Sequence, residues 1–268
     1  MQAVTLGPSG TYSHRAAAAV ADAVDFRQSV TAVVEAVVDG AADRGVVPIE
    51  NSIEGSVGES LDALVEHDVA VVREIVTPVR HAFLAQQPDV ETVASHPQAL
   101  AQCRTFLDEE YPNATREAVA STAAGVELAR EDPSVAAIAR PDAGGDDLDV
   151  LAVGIQDQDS NATRFFVLAP AADRSRGGGK SSLVIYPGTN YPGLLLELLE
   201  PFAERDINLS RIESRPSGER LGDYVFHIDF EAGLYERRAE AAVDRIESVV
   251  EGGWVCRLGS YDVEHVVE

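Results

Sequence analysis

From residue 3 to residue 139, short apolar runs alternate with stretches of helical periodicity. That alternation confines the first half of the chain to an α/β architecture. Strand-like runs lie at 3–6, 45–49, 69–76, 79–85, 114–120 and 135–139, with helical patterns at 13–23, 30–39, 55–67, 97–110 and 122–131. A late apolar run at 164–168 is expected to return to the first sheet. The expected arrangement is two small lobes with a cleft between them inside residues 1–170, the second lobe covering about 78–155. Residues 171–180, rich in Gly, Ala and charge and without periodicity, read as a linker. Within 181–268, strands at 182–186, 207–213, 224–230 and 255–261 and helices at 193–205 and 236–251 follow the order βαββαβ. That is the ferredoxin-like split motif.

Charge narrows the partners. The formal net charge is −24, and Lys180 is the single lysine. Such a surface repels nucleic acid and anionic membranes. It also repels a dianion, so a site for one needs local positive potential. Excess Asp and Glu with almost no Lys suits a halophilic protein, because screening at ~1 M salt shortens repulsion to ~3 Å. Two distant cysteines, Cys103 and Cys256, make no disulfide framework and fit a reducing, cytoplasmic setting. The N-terminus has no basic, apolar signal pattern, and no run approaches the ~18–20 apolar residues of a membrane span. A secreted solute-binding protein is disfavoured on the same ground.

Four strand-to-helix junctions carry more polar side chains than capping requires. They are Gly7-Pro8-Ser9-Gly10-Thr11-Tyr12-Ser13, Pro48-Ile49-Glu50-Asn51-Ser52-Ile53-Glu54-Gly55-Ser56, Ser95-His96-Pro97-Gln98-Ala99-Leu100 and Ser121-Thr122-Ala123-Ala124-Gly125. In open α/β sheets such junctions gather at the carboxyl ends of the strands, where free N–H groups and helix dipoles hold anions. A small carboxylate can then be bound with few basic residues. The Gly7/Gly10 loop has neither P-loop nor Gly-x-Gly-x-x-Gly spacing. A fifth element, Asn161-Ala162-Thr163-Arg164-Phe165-Phe166, runs from a polar trio straight into an apolar strand. Here Asn161 and Thr163 either end a loop or face a ligand, and Arg164 is either a bidentate carboxylate partner or a surface ion pair. His14, His81 and His96 show no short metal-ligand spacing. His96 reads as a helix-start residue beside a ligand, His81 as a core or hinge residue. Cys103 falls within a helical pattern and is no nucleophile.

In chain order these motifs resemble the prephenate dehydratase family, and the C-terminal unit resembles that family's ACT domain. The marks of the latter are Asn190-Tyr191-Pro192-Gly193-Leu194-Leu195, the run Ile207-Asn208-Leu209-Ser210-Arg211-Ile212-Glu213-Ser214-Arg215-Pro216, and Leu258-Gly259-Ser260-Tyr261. The resemblance covers nearly the whole chain. It implies a two-lobed, solute-binding-protein-like catalytic fold acting without metal or organic cofactor. The implied reaction is loss of the ring hydroxyl and ring carboxylate of prephenate, giving phenylpyruvate. By position it assigns Thr163 as the central catalytic residue beside Glu50, Asn51, Ser95, Gln98 and Arg164. Substrate contacts are expected from Thr11, Tyr12, Ser13, Ser52, His96, Ser121, Thr122 and Phe165.

Aromatisation drives the reaction, so a donor aimed at the leaving oxygen suffices; general-acid help is worth ~10²–10⁴-fold. Threonine is a weak acid and is read as a hydrogen-bond donor. Ser95, Gln98 and Asn51 are neutral partners for the carboxylates and the ring. Glu50 is either an orienting group or the proton source. The resemblance further implies pairing of ACT domains into a homodimer or homotetramer, and binding of phenylalanine as effector by Asn190, Gly193, Leu194, Leu195, Asn208, Glu213, Ser214 and Arg215. Leu194 departs from the family's frequent alanine, His227 from an aromatic, Phe83 from leucine and Asp262 from proline. The alternatives are an arogenate dehydratase and a non-catalytic amino-acid-binding regulator.

Overall fold

The computed structural model describes every residue except Asp159, Glu251, Val267 and Glu268. The chain begins with β1 (Gln2–Leu6), α1 (Tyr12–Ala18), β2 (Ala23–Arg27), α2 (Val30–Val38), β3 (Arg44–Asn51), β4 (Gly55–Ser56), α3 (Gly58–Glu66) and β5 (Val69–Pro78). It crosses into β6 (Ala82–Ala85), β7 (Thr92–Ser95), α4 (Pro97–Gln102), α5 (Arg104–Glu110), β8 (Thr115–Ala118), α6 (Thr122–Glu131), β9 (Val135–Ala139) and β10 (Asp149–Val153). It returns as β11 (Ala162–Pro170), then forms β12 (Lys180–Tyr186), α7 (Leu194–Ala203), β13 (Leu209–Pro216), β14 (Tyr224–Phe230), α8 (Arg237–Val249), β15 (Trp254–Tyr261) and β16 (Val263–His265). The strands make three sheets, ordered β16-β5-β11-β3-β1-β2 with β4 on β3, then β10-β6-β9-β7-β8, then β13-β14-β12-β15. Two α/β lobes followed by a βαββαβ unit is the expected fold class.

The return strand, β11, decides where the site can form. It pairs antiparallel with β3 on one side and β5 on the other. As a central strand covered on both faces it is apolar without interruption from Phe165 to Leu168, all buried. Its side chains still alternate. Phe165 and Val167 pack with Ala16, Ala17 and Val20 on the α1 side. Phe166 and Leu168 pack with Val33, Val37, Leu61 and Leu64 on the opposite side.

The third sheet buries one face under its helices, where Leu183, Ile185, Ile228 and Phe230 meet Leu198, Phe202, Ala242 and Ile246. Much of its other face is turned to the first lobe. Val184, Val225, Leu258 and Tyr261 join the core of the first lobe, on the α2–α3 side. A Cβ on Gly259 would fall 2.2 Å from the Val71 carbonyl oxygen, so only glycine lets β15 pass so close to β5. Beyond β15 the chain adds β16, parallel to β5, to the first sheet.

Five strands were not foreseen: β2, β4, β7, β10 and β16. The helical pattern at 13–23 stops at Ala18. Residues 23–27 pair in register with β1, from Gln2↔Ala23 to Leu6↔Arg27, and this tertiary pairing takes Ala23, the last residue of the helical pattern, into a strand. The pattern at 97–110 is interrupted at Cys103, with φ −115° and ψ 23°. The one at 55–67 yields its first two residues to β4.

Candidate active site

Between the first and second sheets lies a cavity of about 480 Å³, inside the ~300–1,000 Å³ range of small-molecule sites. Three helices begin at its wall. Thr11 caps α1 by accepting from the His14 N–H at 3.2 Å, His96 caps α4 by accepting from the Gln98 N–H at 3.3 Å, and Ser121 caps α6 by accepting from the Ala124 N–H at 3.0 Å. The positive ends of their dipoles therefore converge on the cavity. A Cβ on Gly125 would lie 2.5 Å from the Ala94 carbonyl oxygen, so glycine is what allows α6 to sit against β7. Of the residues singled out in the sequence, Thr11, Tyr12, Ser13, Asn51, His96, Gln98, Ser121, Thr122, Thr163 and Phe165 line the cavity. Its lining contains no Asp, Glu, Lys or Arg among the described residues.

The polar wall is one connected chain. Asn51 Oδ1 accepts from the N–H groups of Ile53 (3.0 Å) and Glu54 (3.2 Å), which turns its amide nitrogen inward. That nitrogen donates to Asn161 Oδ1 and to Thr163 Oγ1, both at 3.1 Å. Asn161 Nδ2 donates to Gln102 Oε1 at 2.9 Å, and His81 Nε2 meets the same oxygen at 2.9 Å. Since Thr163 Oγ1 accepts from Asn51, its own hydrogen is available to a ligand. Burial pulls the His81 pKa down, against the hydrogen bond to Gln102 that raises it, so the imidazole is neutral at pH 7.

Four expected residues lie elsewhere, and strand alternation accounts for the first two. Arg164 and Glu50 follow and precede Thr163 and Asn51 on β11 and β3, so they project from the opposite face. There Arg164 donates to Glu50 Oε2 at 2.7 Å, Glu74 Oε2 at 2.7 Å and Asp229 Oδ2 at 2.8 Å. Lys180 reaches Glu74 at 2.8 Å, and Arg211 approaches Glu50 to 3.6 Å. The cluster fastens the first lobe to β12, β13 and β14. Arg164 is thus no carboxylate clamp in the cavity, and Glu50 is no proton source there. Ser95 is fully buried and donates to the Ile138 carbonyl at 2.6 Å, joining β7 to β9. Ser52 donates to the Ser160 carbonyl and accepts from the Ala162 N–H, each at 3.0 Å, which ties β11's start to β3's end.

Sequence reasoning missed Gln102 and the place of His81, both in the cavity wall. Gln102 lies one helical turn beyond Gln98, and that spacing was the available signal. Arg140, also missed, reaches across the mouth. It approaches the Thr11 carbonyl to 3.5 Å, lies over the Tyr12 ring at 5.8 Å and pairs with Asp142 at 2.9 Å. Cys103 is buried, and desolvation pushes its thiol up to about 12. No group of three His, Cys, Asp or Glu able to hold a metal occurs among the described residues.

The residues expected to hold an effector are only partly open. Leu194 is 5% exposed and packs into the α7–α8 core, whereas Leu195 is 41% exposed. Glu213 accepts from Ser56 Oγ at 3.0 Å, and Arg215 forks onto Asp62 at 2.7 and 3.2 Å, so both face the first lobe within the same chain. Asn190 donates to the Gly222 carbonyl at 2.8 Å, Gly193 opens α7 at φ 99°, and Asn208 and Ser214 are exposed.

Residues 3–173 match the family model for prephenate dehydratase, and residues 189–249 match the ACT domain. A prephenate dehydratase of Lactococcus lactis is 40% identical over 85% of this chain and 86% of its own. The structure of a prephenate dehydratase in complex with L-Phe from Arthrobacter aurescens superposes with TM-score 0.87 at 34% identity, covering 98% of this chain and 90% of that one. GqqA, described as a novel type of quorum quenching acylase, superposes with TM-score 0.86 at 25% identity, covering 98% of both chains. The cavity motifs, the family match and the shared two-part architecture together place this chain in the prephenate dehydratase family.

Proposed function

We propose that the chain converts prephenate to phenylpyruvate, a carbon–oxygen lyase reaction. The acylase with the same fold shows that architecture alone does not settle chemistry, so the reading rests on the site. One observation carries it: a cavity lined, among the described residues, by no Asp, Glu, Lys or Arg, walled by amide and hydroxyl groups and helix N-termini, with the Thr163 proton free. In the reaction the ring C–O bond breaks and the bond to the ring carboxylate breaks with it. The released electron pair completes the aromatic ring, one proton is taken up, and water and carbon dioxide leave. Thr163 O–H donates a hydrogen bond to the departing oxygen. Neutral amides and N–H groups hold the carboxylates without over-stabilising the one that must go.

The test is turnover of prephenate followed by phenylpyruvate absorbance. Thr163→Ala lowers kcat by ~10²-fold or more, and Thr163→Ser keeps most of it. An Ala variant as fast as the parent sinks the assignment, and faster turnover of arogenate than of prephenate reassigns the substrate.

Residues 1–170 are proposed as the catalytic part, 171–180 as linker and 181–268 as the regulatory ACT part, with phenylalanine as effector. Pairing of ACT parts into a homodimer or homotetramer is supported by exposed Tyr191, Leu195, Leu196, Ile212 and Trp254 on that unit. The net charge of −24 supports salt adaptation, and two free cysteines fit a cytoplasmic enzyme. No described helix is long and apolar enough to cross a membrane.

A further inference from the structure

We propose that His81 is a positioning residue for this reaction: in its Nε2–H form it holds the Gln102 side chain so that the Gln102 amide nitrogen faces the substrate and the chain of amides behind Thr163 keeps a single direction. The proposal rests on the dehydratase reading above. The direction of the chain is fixed at its other end. Backbone N–H groups of Ile53 and Glu54 can only donate, so Asn51 Oδ1 faces them and Asn51 Nδ2 faces Asn161 and Thr163. Asn161 must then present its nitrogen to Gln102, and Gln102 its oxygen. A carbonyl oxygen only accepts, so the His81 nitrogen 2.9 Å away carries a hydrogen.

With two donors on Gln102 Oε1, a flip of that amide would set its N–H against the Asn161 N–H, and against His81 Nε2–H unless the imidazole moved its proton to Nδ1, which is buried without a partner among the described residues. The flip is therefore opposed, and Gln102 Nε2 is left buried, without a protein partner, in a residue that lines the cavity. An unpaired buried donor is costly, and a substrate that parts the wall at Gln102 enough to set an oxygen against this nitrogen relieves the cost. His81 itself is 3% exposed and held from behind, since its backbone N–H donates to Gln156 Oε1 at 3.0 Å. Removing the imidazole leaves only Asn161 to oppose the flip.

The test compares His81→Leu, which fills space but donates nothing, with His81→Gln, whose amide nitrogen can occupy the Nε2 position. For the parent and both variants kcat/KM on prephenate and thermal midpoint are measured, and the parent's imidazole tautomer is read by 15N–1H NMR. The expected result is a ~10-fold loss in the Leu variant, recovery to within ~3-fold in the Gln variant, and a protonated Nε2 with bare Nδ1. A Leu variant as active as the parent, a Gln variant as poor as the Leu variant, or an Nδ1–H tautomer overturns the proposal. If His81→Leu does not fold, the Gln variant and the tautomer decide it. A parent protein that does not turn over prephenate refutes the dehydratase reading instead, and the tautomer remains readable.

Discussion

Replacing Arg164 by Met separates two roles that its position in the sequence leaves open. If it serves the substrate, activity falls and stability does not. The structure gives it to the interface between the first lobe and the third sheet. Its guanidinium makes four hydrogen bonds to Glu50, Glu74 and Asp229. Glu74 and Asp229 are each 2% exposed. Burial alone would lower its pKa, but Asp229 and Glu74 more than offset this and keep it charged. The cluster balances three carboxylates, Glu50, Glu74 and Asp229, against three cations, Arg164, Arg211 and Lys180. Arg164→Met leaves one buried negative charge in excess. Lys180 still holds Glu74, but Asp229 keeps only the Ser182 hydroxyl at 2.6 Å and Arg211 at 4.0 Å. Stranding one partner of a buried ion pair costs ~3–5 kcal/mol. At ~2–4 °C per kcal/mol for a chain near this size, the midpoint falls by ~6–20 °C. Because the charges are buried, ~1 M salt does not restore it. Adding Asp229→Asn removes the stranded charge and recovers ~1–3 kcal/mol. Calorimetry of the two single variants and the double variant measures this. A midpoint within ~2 °C of the parent, with kcat/KM down ~100-fold, refutes the interface assignment.

Other consequences are open to simpler measurement. Desolvation, with Arg211 beside it, depresses the His227 pKa to about 4. The unfolded state therefore takes up a proton from about pH 6.5 downward that the native state refuses until about pH 4, and stability falls across that window by up to ~3 kcal/mol. His227→Phe flattens that part of the acid-unfolding curve measured by circular dichroism, and an unchanged slope rules the contribution out. Cys103 stays unlabelled by iodoacetamide at pH 8 in the native protein and reacts fully in denaturant, as peptide mass spectra would show. With a net charge of −24, the melting midpoint rises steeply from ~0.05 M to ~2 M KCl; a flat dependence removes the case for salt adaptation.

The elements with strong periodicity were legible in the sequence to the residue: α6 spans Thr122–Glu131 and β9 spans Val135–Ala139, as read. The missed β2 and β10 are edge strands without a buried residue, so they lack the apolar run that marks β9, and β7 is only the four residues Thr92–Ser95. Strand β16 was hidden differently, because residues 263–265 make sense only beside β5, nearly two hundred positions earlier. Within the site, motif reading found Asn51 and Thr163 but drew in their neighbours Glu50 and Arg164. Motifs are contiguous in sequence, whereas a strand sends adjacent side chains to opposite faces. The alternation rule, applied to Thr163-Arg164-Phe165 with Phe165 already facing a ligand, would have turned Arg164 away. Nothing in the sequence alone would have named what it meets there, since Asp229 belongs to a strand of the third sheet.

That alternation also answers how so acidic a chain can hold an acidic substrate. Two strands, β3 and β11, each present a neutral residue to the cavity and a charged one to the interface behind it. The cations are committed to neighbouring carboxylates, so they bind the two parts of the molecule together and add little net field to the site. Attraction for a dianion must come instead from N–H groups, amides and helix ends, which need no counter-ion of their own and are fixed before the ligand arrives. A cavity built in this way depends on the orientation of its dipoles more than on its charge. The cost of misdirecting one amide in the wall therefore falls on the chemistry even where the lining keeps its shape.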